Sequence, residues 1–243
     1  MRTFPDLRGK SVLDVAAWDG FFSFEAERLG ADRVIALDHL VWELDIAACM
    51  AYWQECNQHG VKAEPGFHER FHRPSELIGK RGFDTAHRLL GSRVESVVAK
   101  FMETDLDALG TFDVVLFVGL LNHLENPFAA IRRVAQLTKE VAVIETEAAE
   151  FPGAGNRPLC EFFPDSEMNN DPSDWWNPNL EAILGMCRAA GFKKTETIVA
   201  SPGAQRARLR RKYIQNPLNI LTKFRWTSQL DPVRYRALVK AHK

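Results

Sequence analysis

The chain has 243 residues, 46% of them hydrophobic and 26% charged, enough to bury a sizeable core as one α/β domain with insertions. Its formal net charge is −1, so no global field draws it to nucleic acid or to an anionic membrane surface. No run approaches the ~18–20 apolar residues of a membrane span, and the opening stretch MRTFPDLRGK lacks an apolar signal core, which together favour a cytoplasmic chain.

In chain order, residues 11–15 (SVLDV) form a short apolar run, 22–29 suit a helix ended by Gly30, and 33–37 (RVIAL) form a second strand closed by Asp38. That is one βαβ unit. The segment 41–81 begins helically and then turns rich in proline, glycine and histidine. Three further strands are expected at 94–101 (VESVVAKF), 113–118 (DVVLFV) and 140–144 (EVAVI), with a helix at 127–137 (PFAAIRRVAQL) between the last two. Residues 150–178 hold several prolines and acids and read as a long loop or lid. A helix over 179–190 capped by Gly191, a strand over 192–199, a segment 200–233 with the basic run 206–212 (RARLRRK), and a last strand within 234–243 complete the chain. Runs buried on both faces and alternating with helices predict a Rossmann-like, doubly wound α/β fold. Its sheet is mostly parallel, with helices on both faces and an antiparallel last strand. Cys49, Cys56, Cys160 and Cys187 make no CxxC pair and no tight cluster, against a structural zinc site or a disulfide framework.

In an open parallel sheet, ligands sit outside the carboxyl ends of the strands where the strand order reverses, usually just after the first strand. The loop 14–20 (DVAAWDG) occupies that place. The dinucleotide fingerprint G-x-G-x-x-G is absent, which argues against NAD or FAD. Asp14 and Asp38 end the first two strands and Gly20 opens the helix; two acids suit a ligand that carries a cation and ribose hydroxyls.

The pattern DVAAWDGFFS, followed after one helix by RVIALDH, resembles the first motif and the acidic second-strand end of class I S-adenosylmethionine-dependent methyltransferases. In that family the loop reads D/E-x-G-x-G-x-G, and one branch reads G-A-W-D-G. Here Ala16 and Trp18 replace the first two glycines, and Gly20 keeps the third. Residues 82–103 resemble the branch's helix and third strand, with Glu103 where an acid meets the adenine amino group. Residues 111–134 resemble the fourth strand and its exit, with Asn122 where tyrosine is usual. Residues 171–192 resemble an acceptor-side motif of the form N-W-W-x-P-N. The resemblance covers most of residues 9–199 and implies S-adenosylmethionine as cofactor, held by Asp14, Ala16, Trp18, Gly20, Asp38, His39, Glu103, Gly119 and Leu120. The branch is related to tRNA wobble-uridine carboxymethyltransferases and to sugar O-methyltransferases, polysaccharide-capping enzymes among them.

His123 follows the fourth strand at the same edge of the sheet, so its neutral imidazole is the candidate catalytic base for an acceptor hydroxyl. The bland reading is a histidine that bonds backbone near Asn126-Pro127. Glu145 and Glu147 leave the fifth strand on one face. They are candidates to orient an acceptor or, with His123, to bind Mg²⁺; the alternative is a solvated strand end. Trp175, Trp176 and Asn179 are candidate acceptor-side residues, the tryptophans alternatively being lid anchors and Asn179 a helix N-cap.

His68-Glu69-Arg70-Phe71-His72 fits the zinc-protease pattern H-E-x-x-H, but Pro65-Gly66 before it and Pro74 after it leave little room for the helix that chemistry needs. These histidines read as polar loop residues. The basic run reads as a solvated face, with phosphate binding as the alternative.

The expected function is methyl transfer to a hydroxyl of a small polar metabolite, a sugar or oligosaccharide first, with 41–81, 150–178 and 200–233 forming the acceptor pocket or lid. Alkylation of a tRNA wobble uridine and non-catalytic S-adenosylmethionine binding are the alternatives. Near-neutral charge disfavours a nucleic-acid partner, no membrane partner is expected, and the oligomeric state stays open, a homodimer included.

Overall fold

The computed structural model describes residues 4–64, 66–165, 167–168, 171–199 and 232–243; the basic run 206–212 and most of the expected insertion 200–233 lie outside these residues. Strand β1 (Ser11–Val15), helix α1 (Phe21–Arg28) and β2 (Arg33–Asp38) make the expected first unit. Two helices follow, α2 (Leu40–Glu43) and α3 (Ile46–His59). After short 3₁₀ turns come α4 (Arg81–Leu90), β3 (Glu95–Val98), α5 (Leu106–Leu109) and β4 (Phe112–Val118). The second half holds α6 (Pro127–Leu137), β5 (Thr138–Glu150), β6 (Cys160–Phe162), β7 (Trp176–Pro178), α7 (Leu180–Ala189), β8 (Lys194–Val199) and β9 (Val233–His242).

Seven strands form one sheet in the order β3-β2-β1-β4-β5-β9-β8. β3, β2, β1, β4 and β5 are parallel, whereas β9 inserts antiparallel between β5 and β8. The chain winds outward from β1 in one direction and returns through β4 in the other, so the reversal of order lies between β1 and β4. β6 and β7 pair separately as a short antiparallel ribbon, so residues 150–178 contain structure of their own.

The two-residue period of the strands divides the core cleanly. Leu13, Val15, Ile35, Leu37, Val115 and Phe117 face one side, where Ala130, Ile131 and Val134 of α6 and Ile183 and Cys187 of α7 cover them. Val12, Val34, Ala36, Val114 and Leu116 face the other, against Ala26 of α1, Phe83 of α4 and Trp42 of α2. A sheet buried on both faces explains why these strands read as continuous apolar runs. α6 starts where its residues dictate: Asn126 accepts the Ala129 N–H at 3.0 Å, and Pro127 occupies the first turn, where a missing N–H costs nothing. The segment after β2 carries a small core of its own, Leu44, Cys49, Cys56, Ala63 and Phe67.

Two boundaries differ from expectation. β3 covers 95–98 rather than 94–101, because it is an edge strand with three of its four residues exposed, and Phe101 reaches the core from the turn that follows. β5 continues to Glu150, since ten of its residues find partners on β9. Among the described residues no helix is long and apolar enough to cross a membrane.

Candidate functional site

At the carboxyl edge beside the reversal of strand order, the loop after β1 answers the question its missing glycines raise. Ala16, Trp18 and Gly20 all carry positive φ, at 64°, 49° and 82°. The backbone thus takes the left-handed form of a glycine-rich loop even where the side chains disfavour it. Trp18 manages this by turning its indole outward, 58% exposed. Gly20 has no such freedom, because a Cβ there would stand 2.6 Å from ring carbons of both Phe24 and Phe83.

The loop is held by its own network. The Ala16 N–H donates to the Leu37 carbonyl at 2.8 Å, the Trp18 N–H donates to Asp38 Oδ2 at 2.9 Å, and Trp42 Nε1 donates to the Trp18 carbonyl at 2.6 Å. Asp38 Oδ1 also accepts the His39 N–H at 2.7 Å and the Val41 N–H at 3.3 Å. Burial holds the Asp38 carboxyl above its ordinary pKa, against the pull of these three amides. Asp14 is almost wholly buried and accepts the Ser23 hydroxyl at 2.6 Å. Its burial dominates, and its pKa is pushed up to about 7. A cleft of about 280 Å³ adjoins Trp18 and Asp19 and is walled by Ile46, Ile78 and Gly82, so the segment after β2 borders the loop directly.

Across the edge, Gly119 leaves β4 at φ 71° and donates its N–H to the Glu145 carbonyl at 3.0 Å. Leu120, half-buried, packs on the core beside it. Glu103 lies in the exposed turn after β3, paired with Lys100 at 3.3 Å.

His123 ends a 3₁₀ turn, Leu121–His123, that projects from the same edge. Its Nδ1 lies 3.2 Å from the Ser173 carbonyl, 3.1 Å from Ser173 Oγ and 3.3 Å from Asp174 Oδ1. A carbonyl only accepts, so Nδ1 carries a proton, and in the neutral ring it is Nε2 that has the lone pair. Asp174 is held from beneath: Asn122 Nδ2 donates to its Oδ1 at 2.5 Å, and Thr146 Oγ1 of β5 donates to Asn122 Oδ1 at 3.3 Å. Burial raises the Asp174 carboxyl, while His123 and the Asn122 bond oppose the rise. Asp174 is the functional candidate that sequence reasoning missed. Its signal was an acid directly before the Trp175-Trp176 pair, in the segment that resembles the acceptor-side motif.

The tryptophans build a wall beside this dyad. Trp175 donates its N–H to the Asn122 carbonyl at 2.8 Å and lies nearly parallel to Phe162 at 6.3 Å. Trp176 packs on Phe162 at 4.8 Å and donates Nε1 to the Glu125 carbonyl at 3.1 Å. Asn179 does not join them. Its Oδ1 accepts Ala182 N–H at 2.9 Å and Leu159 N–H at 3.0 Å, and its Nδ2 donates to the Arg157 carbonyl at 2.7 Å. The side chain is the N-cap of α7, with its amide spent on backbone.

The Mg²⁺ candidates fail as a set. Glu145 and Glu147 do share a face, but both are engaged by Arg236 of β9, Glu145 in a two-point contact and Glu147 at 3.3 Å. His123 turns instead to Asp174. Among the described residues the metal-competent group is a different one, His39, Glu43 and His72. The H-E-x-x-H stretch is a 3₁₀ turn, Phe67–Phe71. His72 lies past the end of that turn in an extended conformation, so the two histidines share no helix face. His68 stacks on Phe67 at 4.3 Å and is pushed down in pKa by burial.

No model of a known protein family matches the chain. It is 26% identical over 195 residues to a tRNA U34 carboxymethyltransferase of Psychrobacter arcticus, and 25% identical to that of Psychrobacter cryohalolentis, in each case over 79% of this chain. The match takes in 46% of those proteins, so the chain spans about half the length of these curated relatives. Among solved structures, the N-terminal domain of EvdMO1 with SAH bound matches with a TM-score of 0.57 at 15% identity, over 96% of this chain and 75% of that one. The same domain in the presence of SAH and D-fucose matches with the same TM-score of 0.57. Haemonchus contortus phospholethanolamine N-methyltransferase 2, in complex with phosphomonomethylethanolamine and S-adenosylhomocysteine, matches with a TM-score of 0.59 at 15% identity, over 100% of this chain and 50% of that one. With its strand order, its reversal point and these likenesses, the chain has the fold of the class I S-adenosylmethionine-dependent methyltransferases.

Proposed function

We propose that the chain is an S-adenosylmethionine-dependent O-methyltransferase whose acceptor is a hydroxyl of a small polar metabolite, a sugar or oligosaccharide first. The observation that carries this reading is the left-handed backbone at Ala16 and Trp18, directly across the reversal point from the His123–Asp174 dyad. Asp14, Ala16, Trp18, Gly20, Asp38, His39 and Glu103 on the β1–β3 side of the reversal, and Gly119 and Leu120 on the β4 side, would hold the cofactor. When bound, the cofactor supplies the methyl group and most of the driving force.

An alcohol is a poor nucleophile at neutral pH, so a chain built for hydroxyl acceptors needs a base at the reacting edge. His123 meets that need: Nδ1–H is fixed by Ser173 and Asp174, which leaves Nε2 to take the acceptor proton. As that proton arrives, the imidazole becomes a cation and the Asp174 carboxylate stabilises it. Trp175, Trp176 and Phe162 offer apolar faces to a ring-shaped acceptor and keep water away. Segments 41–81 and 150–178 wall the acceptor side. The presence of D-fucose with one of the structural neighbours makes a deoxysugar a sensible first trial.

The likeness to tRNA U34 carboxymethyltransferases favours a second reading, alkylation of a wobble uridine. Labelled S-adenosylmethionine, incubated with the protein and with either fractionated metabolites or total tRNA, separates the two. Label in a neutral saccharide supports the first, and label found only in RNA replaces it with the second. Label in neither, despite S-adenosylhomocysteine binding in a calorimeter, leaves a non-catalytic binding protein.

A further inference from the structure

Three side chains beside the cofactor crevice converge on one point: His39 just past β2, at the rim of the crevice, Glu43 at the end of α2, and His72 after the 3₁₀ turn. His39 Nε2 lies 3.1 Å and His72 Nε2 lies 2.6 Å from the same oxygen, Glu43 Oε2, and all three ligand atoms lie within 4.8 Å of one another. We propose that His39, Glu43 and His72 form a binding site for one divalent first-row transition metal ion, Zn²⁺ foremost, that clamps the segment after β2 onto the rim of the sheet.

The chemistry of the set supports this. Two imidazoles and a carboxylate are borderline donors that suit Zn²⁺ over Mg²⁺ or Ca²⁺, which prefer oxygen. A tetrahedral zinc with bonds near 2.0–2.1 Å holds its ligand atoms about 3.3 Å apart. The His39–Glu43 separation of 3.1 Å is already close to that spacing, and the His72–Glu43 separation of 2.6 Å would open by about 0.7 Å to reach it. A carboxylate satisfied by hydrogen bonds alone has two oxygens to share among two donors, yet both rings aim at one. The rings are tilted by 58° with centroids 5.7 Å apart, so they meet edge-first at a point and do not stack. Among the described residues, the groups within ion-pair distance of the Glu43 carboxylate are these two histidines.

The frame is built in advance of any ion. The Arg73 N–H donates to the Glu43 carbonyl at 2.6 Å and the Asp45 N–H to the Phe71 carbonyl at 2.8 Å, while Leu44 and His72 form an isolated antiparallel bridge. Gly79 presses so closely on α2 that a Cβ would lie 1.8 Å from the Val41 carbonyl oxygen. The Glu43 side chain is only 12% exposed and that of His72 is 33% exposed, so the ion would be reached from the His72 side, where a water can complete its shell. The site touches the cofactor rim through His39, whose N–H is bonded to Asp38.

The test needs no cofactor and no acceptor, so its outcome is separate from that of the methyltransferase reading. The full chain is stripped with a chelator, then titrated with Zn²⁺ by calorimetry and with Co²⁺ by visible absorption. One equivalent per chain and the intense ligand-field bands of four-coordinate Co²⁺ are expected. At hundredfold excess of Zn²⁺ over its Kd the unfolding temperature should rise by about 5–10 °C. His39→Ala, Glu43→Gln and His72→Ala should each weaken binding at least about tenfold, whereas His68→Ala should leave it unchanged. If Glu43→Gln does not fold, the more exposed His72→Ala decides. Absence of stoichiometric binding overturns the proposal, as does a His72→Ala variant that binds like the parent, or loss of binding in His68→Ala.

Discussion

Substituting glycine for Ala16 should make the protein more stable, contrary to the usual effect of adding a glycine. At φ 64° an alanine carries about 1–2 kcal/mol of left-handed strain that glycine does not. Against this, glycine adds roughly 0.4–1 kcal/mol of freedom to the unfolded chain. The balance is a gain on the order of 0.5–1 kcal/mol, or about 1–4 °C in unfolding temperature for a chain of this size. Trp18→Gly should gain less, because an indole that is 58% exposed still buries some apolar surface, but the Trp42 bond to its carbonyl is a backbone contact and survives. Gly20→Ala runs the other way: positive φ and a Cβ placed 2.6 Å from Phe24 and Phe83 should together cost about 2–4 kcal/mol. Urea unfolding of the three variants measures the stabilities, and calorimetry with S-adenosylhomocysteine measures the loop's competence. Ala16→Gly and Trp18→Gly should bind it within about threefold of the parent, and Gly20→Ala should not bind it detectably. A loss of more than about 0.5 kcal/mol in Ala16→Gly, or a neutral Gly20→Ala, would refute the claim that backbone geometry in this loop is what the fold preserves.

Asp174→Asn should lower kcat by about tenfold to a thousandfold with little change in KM, and should shift the acidic limb of the pH–rate profile, since it removes the charge that orients and stabilises the His123 imidazolium; an unchanged profile would reduce Asp174 to a lid contact. For Asp14, burial raises the folded pKa to about 7 from an ordinary 3.8, so the folded state holds that proton more tightly than the unfolded one. Its stabilising contribution is therefore complete below about pH 4 and lost as pH rises through 7. Urea midpoints from pH 4 to 8 should show the parent losing on the order of 2–4 kcal/mol relative to Asp14→Asn across that window; parallel curves would contradict the assignment. Asn179→Ala should cost about 1–2 kcal/mol, a cap together with two stranded backbone groups, and should leave KM for the acceptor unchanged, as steady-state kinetics would show.

The doubly wound sheet was legible because its central strands are buried on both faces, which leaves continuous apolar runs such as DVVLFV. Asn126-Pro127 marked the start of α6 as plainly. The far half of β5 was not legible. Its residues Glu145, Thr146 and Glu147 are polar, and they belong to a strand because β9, about ninety residues later, supplies their partners and brings Arg236 over both acids. The same long-range assembly hid Asp174, which meets His123 across fifty positions only because β7 runs beneath the 3₁₀ turn. The flanking prolines made the H-E-x-x-H stretch legible as one that forms no zinc-binding α-helix, and it is a 3₁₀ turn. His72 is one of the three members of the proposed ligand set, and the other two, His39 and Glu43, lie some thirty positions upstream, beyond the reach of a local pattern.

The loop after β1 shows why a motif departs from its family pattern without losing its geometry. Glycines in such a loop serve two separable ends: they permit positive φ, and they clear space for neighbours. At positions 16 and 18 only the first demand applies, because the Ala16 methyl is small and the Trp18 ring has solvent to turn into. Tertiary bonds can then impose the conformation that the residue type disfavours, and the Leu37 carbonyl, the Asp38 carboxylate and the Trp42 indole do so. At position 20 both demands apply, and glycine is retained. If these bonds are what hold the loop, Trp42→Phe, which keeps the ring but deletes the indole donor, should loosen it. The expected cost is about 1–2 kcal/mol in stability and a several-fold weaker affinity for S-adenosylhomocysteine, and adding Ala16→Gly and Trp18→Gly should recover part of both. A double-mutant cycle that shows no such recovery would place the loop's order elsewhere, in Gly20 and the aromatic packing beneath it.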